Sequence, residues 1–542
     1  VVGAGVVGAG TALDAVSRGL STALVEQRDF ASGTSSRSSK LVHGGLRYLE
    51  MFDFALVKEA LEERGLLLTR IAPHLVRPVP FLYPLHHTWE RPYVGAGLIL
   101  YDAMAMAGKY EMGVPKHKHL FRKQLARMEP DLRTEELTGA IRYYDCQVDD
   151  ARLVMNIART AAAYGAHVAS RTKVIAFLRE SGRVVGVRVE DLENDREFEV
   201  RAKVVVNAGG VWTNEIQEMI GGRGALNVEA SKGIHLVVPR DRIRSEAGFI
   251  TKTEHSVLFV IPWGRHWIIG TTDTPWDLDL AHPAASRADI DYVLGHVNKI
   301  LRTPLDHTDV QGVYAGLRPL LKGATEPTSK ISREHTVAAP VPGLVIIAGG
   351  KLTTYRVMAR DAVDAATESL DGEVRESITD RVPLLGASGF EARTNQRVAL
   401  ARSSGLSIGS IDHLLGRFGG LIDEVLGLIA ERPELGEPLT GSQDYLAAEV
   451  VYAVTHEGAR HLDDVLARRT RMSVESFDRG TASARPAAEL MGRELGWDDA
   501  RLDDEVDHYL RRVEAERQSQ EKLTDQEADE ARVKAPEGPW AV

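Results

Sequence analysis

The chain has 542 residues, with 66 lysines and arginines against 77 aspartates and glutamates and a formal net charge of −11. Its 44% hydrophobic and 26% charged residues are those of a globular protein, which excludes wholesale disorder, a collagen-like fibre and a coiled-coil rod. The acidic balance argues against nucleic acid as a partner, and the length suggests about three to five domains.

The opening, Val1 to Gly10, reads as a strand end and a glycine turn, and the helix that follows carries Ala12, Leu13, Ala15 and Val16 before a strand ending at Val25 and Glu26. This is the first βαβ unit of a dinucleotide fold. A buried strand before such a turn averages about five residues, so residues missing before Val1 are expected. Arg152 to Tyr164 follows helical spacing, and strand-like runs come next at Thr172 to Leu178, Val184 to Val189 and Ala202 to Val206. Between Gly233 and Asp273 short β-like runs predict an inserted antiparallel sheet. Gly343 to Gly350 is again an apolar strand ending in glycines, ahead of a helix from about Thr354 to Glu368, and after Pro383 the pattern is almost wholly helical. From Gln518 to Val542 the chain is polar, acidic and without periodicity, which predicts a disordered tail.

Gly3, Gly5 and Gly8 form the phosphate fingerprint: a tight turn, close approach of backbone to a pyrophosphate, and a helix N-terminus facing the anion. Glu26, at the end of the next strand, suits ribose hydroxyls and disfavours a 2′-phosphate. A nicotinamide cofactor needs one glycine turn. Two further glycine-ended strands, at Ala208 and Gly209 and at Gly349 and Gly350, suit a cofactor held along its length, which selects FAD over NAD. The segment Ser35 to Leu49 carries small hydroxyls, two glycines and three cations just beyond the acidic strand end; Ser38, Ser39, His43, Gly44, Gly45 and Leu46 are read there as cofactor contacts. Arg47 and Tyr48 suit a phosphorylated substrate.

These strings, with Ile269 to Asp273, Gly316 to Leu320, Ser332 to Glu334, Gly349 to Arg356 and the C-terminal Thr455 to Glu457 and Leu462 to Thr470, resemble in order the FAD-dependent glycerol-3-phosphate dehydrogenases, within the larger glycine oxidase and D-amino-acid oxidase type of flavoprotein. The likeness covers roughly residues 1 to 515. It departs at Lys232 to His235, where the family more often has an arginine and a serine around the same glycine and histidine, and in the acidic tail. It implies an α+β fold with a discontinuous Rossmann-like FAD-binding domain (1–75, 151–230, 312–385), an inserted antiparallel-sheet substrate domain (76–150, 231–311) and a C-terminal all-helical domain (386–517). It also implies oxidation of sn-glycerol 3-phosphate to dihydroxyacetone phosphate with electrons passed to a quinone, and it adds Leu352 and Thr353 to the cofactor contacts.

A glycerol phosphate carries about −1.5 to −2 charge near neutral pH, so its site should gather cations. Arg47, Arg318, Arg333 and Lys351 come from four separated segments and are read as its ligands, with Arg318 and Lys351 also taking part in the chemistry. Removal of the hydroxyl proton calls for a group neutral near pH 7, and His235 is the candidate base. His456 and His461 are five apart and do not share a helix face, so no metal site is expected. The single cysteine, Cys146, fits a reducing cytoplasm.

A quinone acceptor implies contact with a membrane surface on its cytoplasmic face without a spanning helix. Tyr93 to Gly108 is a candidate interfacial helix, and the basic Lys116 to Lys123 a candidate for anionic lipid. The alternatives are an amine or amino-acid oxidase on the same fold and an oxygen-using glycerol-3-phosphate oxidase; a homodimer is left open.

Overall fold

The computed structural model describes residues 1–221, 225–254, 257–321 and 335–535. The strand that ends at Gly3 lies at the centre of a parallel sheet, where Val2 bridges to Val25 on one side and to Asn207 on the other. Outward from these, Ala23–Val25 pairs in parallel with His167–Ala169, and Val205–Asn207 with Leu344–Gly349. Segments far apart in sequence therefore deliver their glycine turns to one end of one sheet, as a doubly wound fold requires. The helix Val6–Ser17 packs between Asp150–Ala163 and Tyr355–Thr367, its wholly buried Ala9 and Ala12 allowing close approach.

The second sheet has ten strands and is almost entirely antiparallel. Arg77–Leu85 and Gly139–Gln147 supply one half, and Val228–Pro239, Gly248–Lys252, Val257–Trp263 and His266–Gly270 most of the other. The halves join where Gly248 and Phe249 pair in parallel with Phe81 and Leu82. Helix Arg287–Val297 covers its back through Ile290, Val293 and Leu294, packed on Ile234, Leu236 and Trp267. The two-residue strand Leu41–Val42, from the cofactor segment, adds to the sheet edge beside Cys146 and Gln147, so both sheets share one segment of chain. The C-terminal helices enclose two apolar clusters, around Phe418 and Tyr452 and around Met472 and Tyr509.

Two expected boundaries shift. Gly312–Leu321 pairs with Val228–Pro239 along its whole length, from Val228↔Leu321 to Val237↔Gly312, and so belongs to the second sheet and not to the cofactor unit. The expected disorder from Gln518 is replaced by helix: Asp499–Glu521 runs through Gln518, and Asp525–Arg532 follows. That last helix is held by polar and small groups that show no hydrophobic period. Thr524 and Glu527 form a capping box, Ala528 is fully buried, and Asp525 reaches the Lys232 ammonium at 2.5 Å. Residues 536–542 of the expected tail lie outside the described residues.

Candidate active site

A cleft of about 810 Å³ runs along the glycine turns, lined by Gly3, Gly5, Glu26, Gly209 and Gly350 with Ala208, Gly349 and Leu352 beside them. The turn depends on Gly8, where a Cβ would sit 1.8 Å from the Gly3 carbonyl oxygen. At Gly350, with φ +77°, a Cβ would lie 2.4 Å from Met358 Sδ. Glu26 accepts the Ala4 and Arg28 amides at 2.7 and 2.9 Å, one on each oxygen, while burial raises its carboxyl above the ordinary range. Ser35 accepts the Val6 amide at 3.0 Å, fixing the helix start against the loop. Backbone that can approach a pyrophosphate, a helix N-terminus behind it and a carboxylate at the strand end make a cradle that fits FAD, in a volume usual for a large cofactor.

The second cavity, about 960 Å³, lies on the face of the antiparallel sheet. Ser39, His43, Tyr48, Thr271 and Arg318 form its polar wall, whereas Phe81, Leu82, Phe249 and Phe259 are among its apolar lining. Gly45 and Leu46 line it as well. The cavities adjoin at Lys351, which lines the cofactor cleft and places its ammonium 3.7 Å over the Tyr48 ring on the other side. Arg318 is clamped by Thr271 Oγ1 at 3.0 Å, the Thr272 carbonyl at 3.2 Å and Asp273 at 3.2 Å. Ser231 donates to the same Asp273 carboxylate. A guanidinium with its plane fixed in this way meets an anion without first losing rotamer freedom.

The other expected residues fall as follows. His235 is buried behind the cavity wall, its Nε2 2.8 Å from Ser39 Oγ and its ring stacked on Tyr314 at 4.8 Å. Burial, then Arg318 and Lys40, hold its pKa well below the ordinary imidazole value, so it is neutral throughout the physiological range. Its reach into the cavity passes through Ser39. Ser38 does not face the cofactor cleft: its Oγ donates to Asp150 at 2.7 Å, because that buried carboxylate gathers the donors around it. Gly44 and Thr353 support the cleft from behind, Thr353 Oγ1 bonding both the amide and the carbonyl of His43. Arg333 lies outside the described residues, as does the side chain of Arg47.

Sequence reasoning passed over the carboxylates that order these walls. From the sequence, Asp145, Asp149 and Asp150 read as a solvated turn and a helix N-cap; Asp149 does cap Asp150–Ala163 by accepting the Arg152 amide, yet Asp145 and Asp150 are buried and all three are paired. Asp150 holds Lys40 at 2.6 Å and Arg471 at 2.6 Å, and Asp145 holds Arg64 at 2.8 Å and the Tyr101 hydroxyl at 2.7 Å. Their partners come from up to 322 residues away, a distance no local pattern reveals. Short apolar pairs nearby, Ala140-Ile141 and Leu153-Val154, were the available sign that these acids point inward.

A glycine-cradled cofactor cleft opening beside a cation-bearing cavity on an antiparallel sheet defines an FAD-dependent oxidoreductase. The family model described as FAD dependent oxidoreductase matches residues 1–364, and the C-terminal domain of alpha-glycerophosphate oxidase matches residues 377–502. Glycerol-3-phosphate dehydrogenase 2 of Mycobacterium tuberculosis is 57% identical over 538 residues, covering 99% of this chain and 91% of that protein. The human mitochondrial glycerol-3-phosphate dehydrogenase is 37% identical over 533 residues, covering 94% and 72%. The structure of the glycerol-3-phosphate dehydrogenase from Bacillus halodurans complexed with FAD superposes with TM-score 0.76 at 30% identity, covering 95% and 93%. The chain belongs to the FAD-dependent glycerol-3-phosphate dehydrogenase family.

Proposed function

We propose that this enzyme oxidises sn-glycerol 3-phosphate to dihydroxyacetone phosphate and delivers the electrons to a quinone at a membrane surface. The observation that carries the reading is the clamped Arg318 on the wall of a cavity that adjoins the FAD cleft at Lys351 and Tyr48. FAD, when bound, supplies the hydride acceptor. Arg318 binds the charged end of the substrate and lowers the cost of negative charge on its hydroxyl. Ser39 accepts the hydroxyl proton while giving its own to Nε2 of the neutral His235 ring, forming an imidazolium that burial and the Arg318 and Lys40 charges oppose. Tyr48 and Lys351 stand where the two cavities meet.

The membrane reading rests on the helix Glu90–Ala107. Leu98, Tyr101 and Ala105 are buried on its inner side, yet Tyr93, Ile99 and Met106 are 56 to 60% exposed on the outer. Phe52, 77% exposed, lies just before the helix Phe54–Leu66 that packs against it. A helix apolar on both sides needs a second apolar neighbour, and a bilayer surface supplies one. No helix among the described residues is long and apolar enough to cross a membrane.

Anaerobic mixing with glycerol 3-phosphate tests the chemistry: loss of the visible flavin absorbance is expected. Bleaching by an amino acid alone would transfer the protein to the amino-acid oxidases of this fold. Turnover with a soluble quinone compared with dioxygen identifies the acceptor, and faster turnover with dioxygen would replace the quinone by oxygen.

A further inference from the structure

His235 lies on the middle strand of three. Tyr314, on Gly312–Leu321, stands directly opposite it on one side, and Gly270, on His266–Gly270, on the other. The Tyr314 ring stacks on the imidazole at 4.8 Å, with 15° between the planes. Toward Gly270 the imidazole lies against bare backbone, since a Cβ there would sit 2.5 Å from His235 Cδ2.

That packing matters because hydrogen bonding alone does not orient the ring. A histidine that handles a proton at one nitrogen is ordinarily fixed through the other, by a carbonyl or a carboxylate. His235 meets Ser39 Oγ through Nε2 at 2.8 Å, and its buried Nδ1 has no hydrogen-bond partner among the described residues. A single hydrogen bond sets one direction and leaves the ring free to turn about it.

Tyr314 also reaches the other member of the pair. Its hydroxyl donates to the Ser38 carbonyl at 3.0 Å, one peptide before Ser39. The Tyr314 ring is braced in turn by the Lys40 ammonium, 5.3 Å from its centroid and fixed by Asp150 at 2.6 Å and the Ser36 carbonyl at 3.1 Å. Lys40 has φ +58°, a left-handed conformation immediately after Ser39 that persists only where the surroundings hold it.

We propose that Tyr314 is the positioning residue of the Ser39 and His235 pair. Its ring sets the plane of the imidazole, and its hydroxyl sets the backbone that presents Ser39, so that Oγ and Nε2 meet in line. This role rests on the relay in which Ser39 passes a proton to His235, and it gives Tyr314 the task that a carbonyl at Nδ1 performs elsewhere.

The test is anaerobic rapid mixing of the holoenzyme with glycerol 3-phosphate, read as the limiting rate of flavin reduction in water and in deuterium oxide. Tyr314→Phe keeps the stack and loses the tie to Ser38, and should slow reduction about 10-fold; Tyr314→Leu loses both and should slow it about 100-fold. Bound FAD and substrate affinity should not move, because Tyr314 lines neither the substrate cavity nor the cofactor cleft. The solvent isotope effect should rise as proton transfer becomes the slow step. Added to Ser39→Ala, which removes the pair, Tyr314→Leu should cost nothing more, whereas a merely structural lesion would add its full loss. Parental reduction in Tyr314→Leu, additive losses or an unchanged isotope effect would each overturn the role; if Tyr314→Leu does not fold, Tyr314→Phe carries the same comparisons. An undiminished rate in Ser39→Ala would instead overturn the relay, and the role with it. Independently of turnover, the imidazole nitrogen resonances of His235, assigned by their loss in His235→Asn, should shift in Tyr314→Phe. A shift supports the positioning even where the parent is not bleached by glycerol 3-phosphate, and unmoved resonances overturn it even where the parent is.

Discussion

Asp145 is the point at which the exposed-faced helix Glu90–Ala107 is tied to the cofactor loop, and replacing it puts a number on that tie. Its Oδ1 receives the Tyr101 hydroxyl at 2.7 Å, the Arg64 guanidinium at 2.8 Å and the Gly44 amide at 3.3 Å, while Gly44 also donates to the Tyr101 oxygen at 3.0 Å. Arg64, Tyr101 and Asp145 are at most 4% exposed. Asp145→Asn keeps the shape and removes the charge, leaving Arg64 a buried cation without its counter-ion. Breaking a buried pair in this way costs about 3 to 5 kcal/mol. Tyr101→Phe strips one neutral donor and one acceptor from the same network, at about 1 to 3 kcal/mol. The double variant should cost less than the two together, because both remove bonds to one carboxylate. Urea denaturation followed by far-UV circular dichroism measures the ladder. Kinetics with glycerol 3-phosphate should show turnover falling in both variants as the His43 to Tyr48 turn loosens. A cost below about 1 kcal/mol for Asp145→Asn, or one smaller than that of Tyr101→Phe, would refute the buried pair.

Arg318→Ala should lower kcat/KM for glycerol 3-phosphate by about 10² to 10³-fold, the loss typical of a preorganised charge-stabilising donor, with FAD still bound; a variant that loses FAD instead would place this arginine at the cofactor. Gly8→Ala cannot be accommodated without moving the Gly3 carbonyl, so the purified variant should lose most of its flavin absorbance, and full FAD content would count against the cradle. Burial holds the Glu129 carboxyl at about 7, opposed by a hydrogen bond from Ser245 and reinforced by Glu246. A carboxyl raised in the folded state contributes its stability below pH ~4.5 and loses it as pH rises through about 7. Glu129→Gln should therefore gain up to about 3 kcal/mol over the parent at pH 8 to 9 and little at pH 5, and equal stability at both would show that Glu129 is solvated.

The cofactor half of the molecule was readable because its signals are local. Gly3, Gly5, Gly8 and Glu26 sit within one βαβ unit, and each later glycine string ends its own strand. The substrate side was readable only as a resemblance. Arg318 and Lys351 lie where the motif strings place them, but what orders Arg318 is Thr271 and Asp273 on a neighbouring loop. His235 was named as a candidate from its strand alone, and spacing gives no hint that Ser39 stands between the ring and the cavity. The pairing of Gly312–Leu321 with Val228–Pro239 is a long-range choice made by hydrogen-bond register. The final helix escaped notice because an ion pair and a capping box hold it in place of an apolar stripe.

That last ion pair has a consequence for how the chain is made. Lys232 is wholly buried, held by Asp289 at 2.6 Å and by Asp525 at 2.5 Å, the latter 293 residues further on. At ~5 to 20 residues per second the ribosome needs roughly 15 to 60 s to reach the second carboxylate after laying down the lysine. Throughout that interval the strand that carries His235 has half of its anchor, and a product terminated early never acquires the rest. The helix that carries Asp525 thus fastens a strand laid down almost three hundred residues before it.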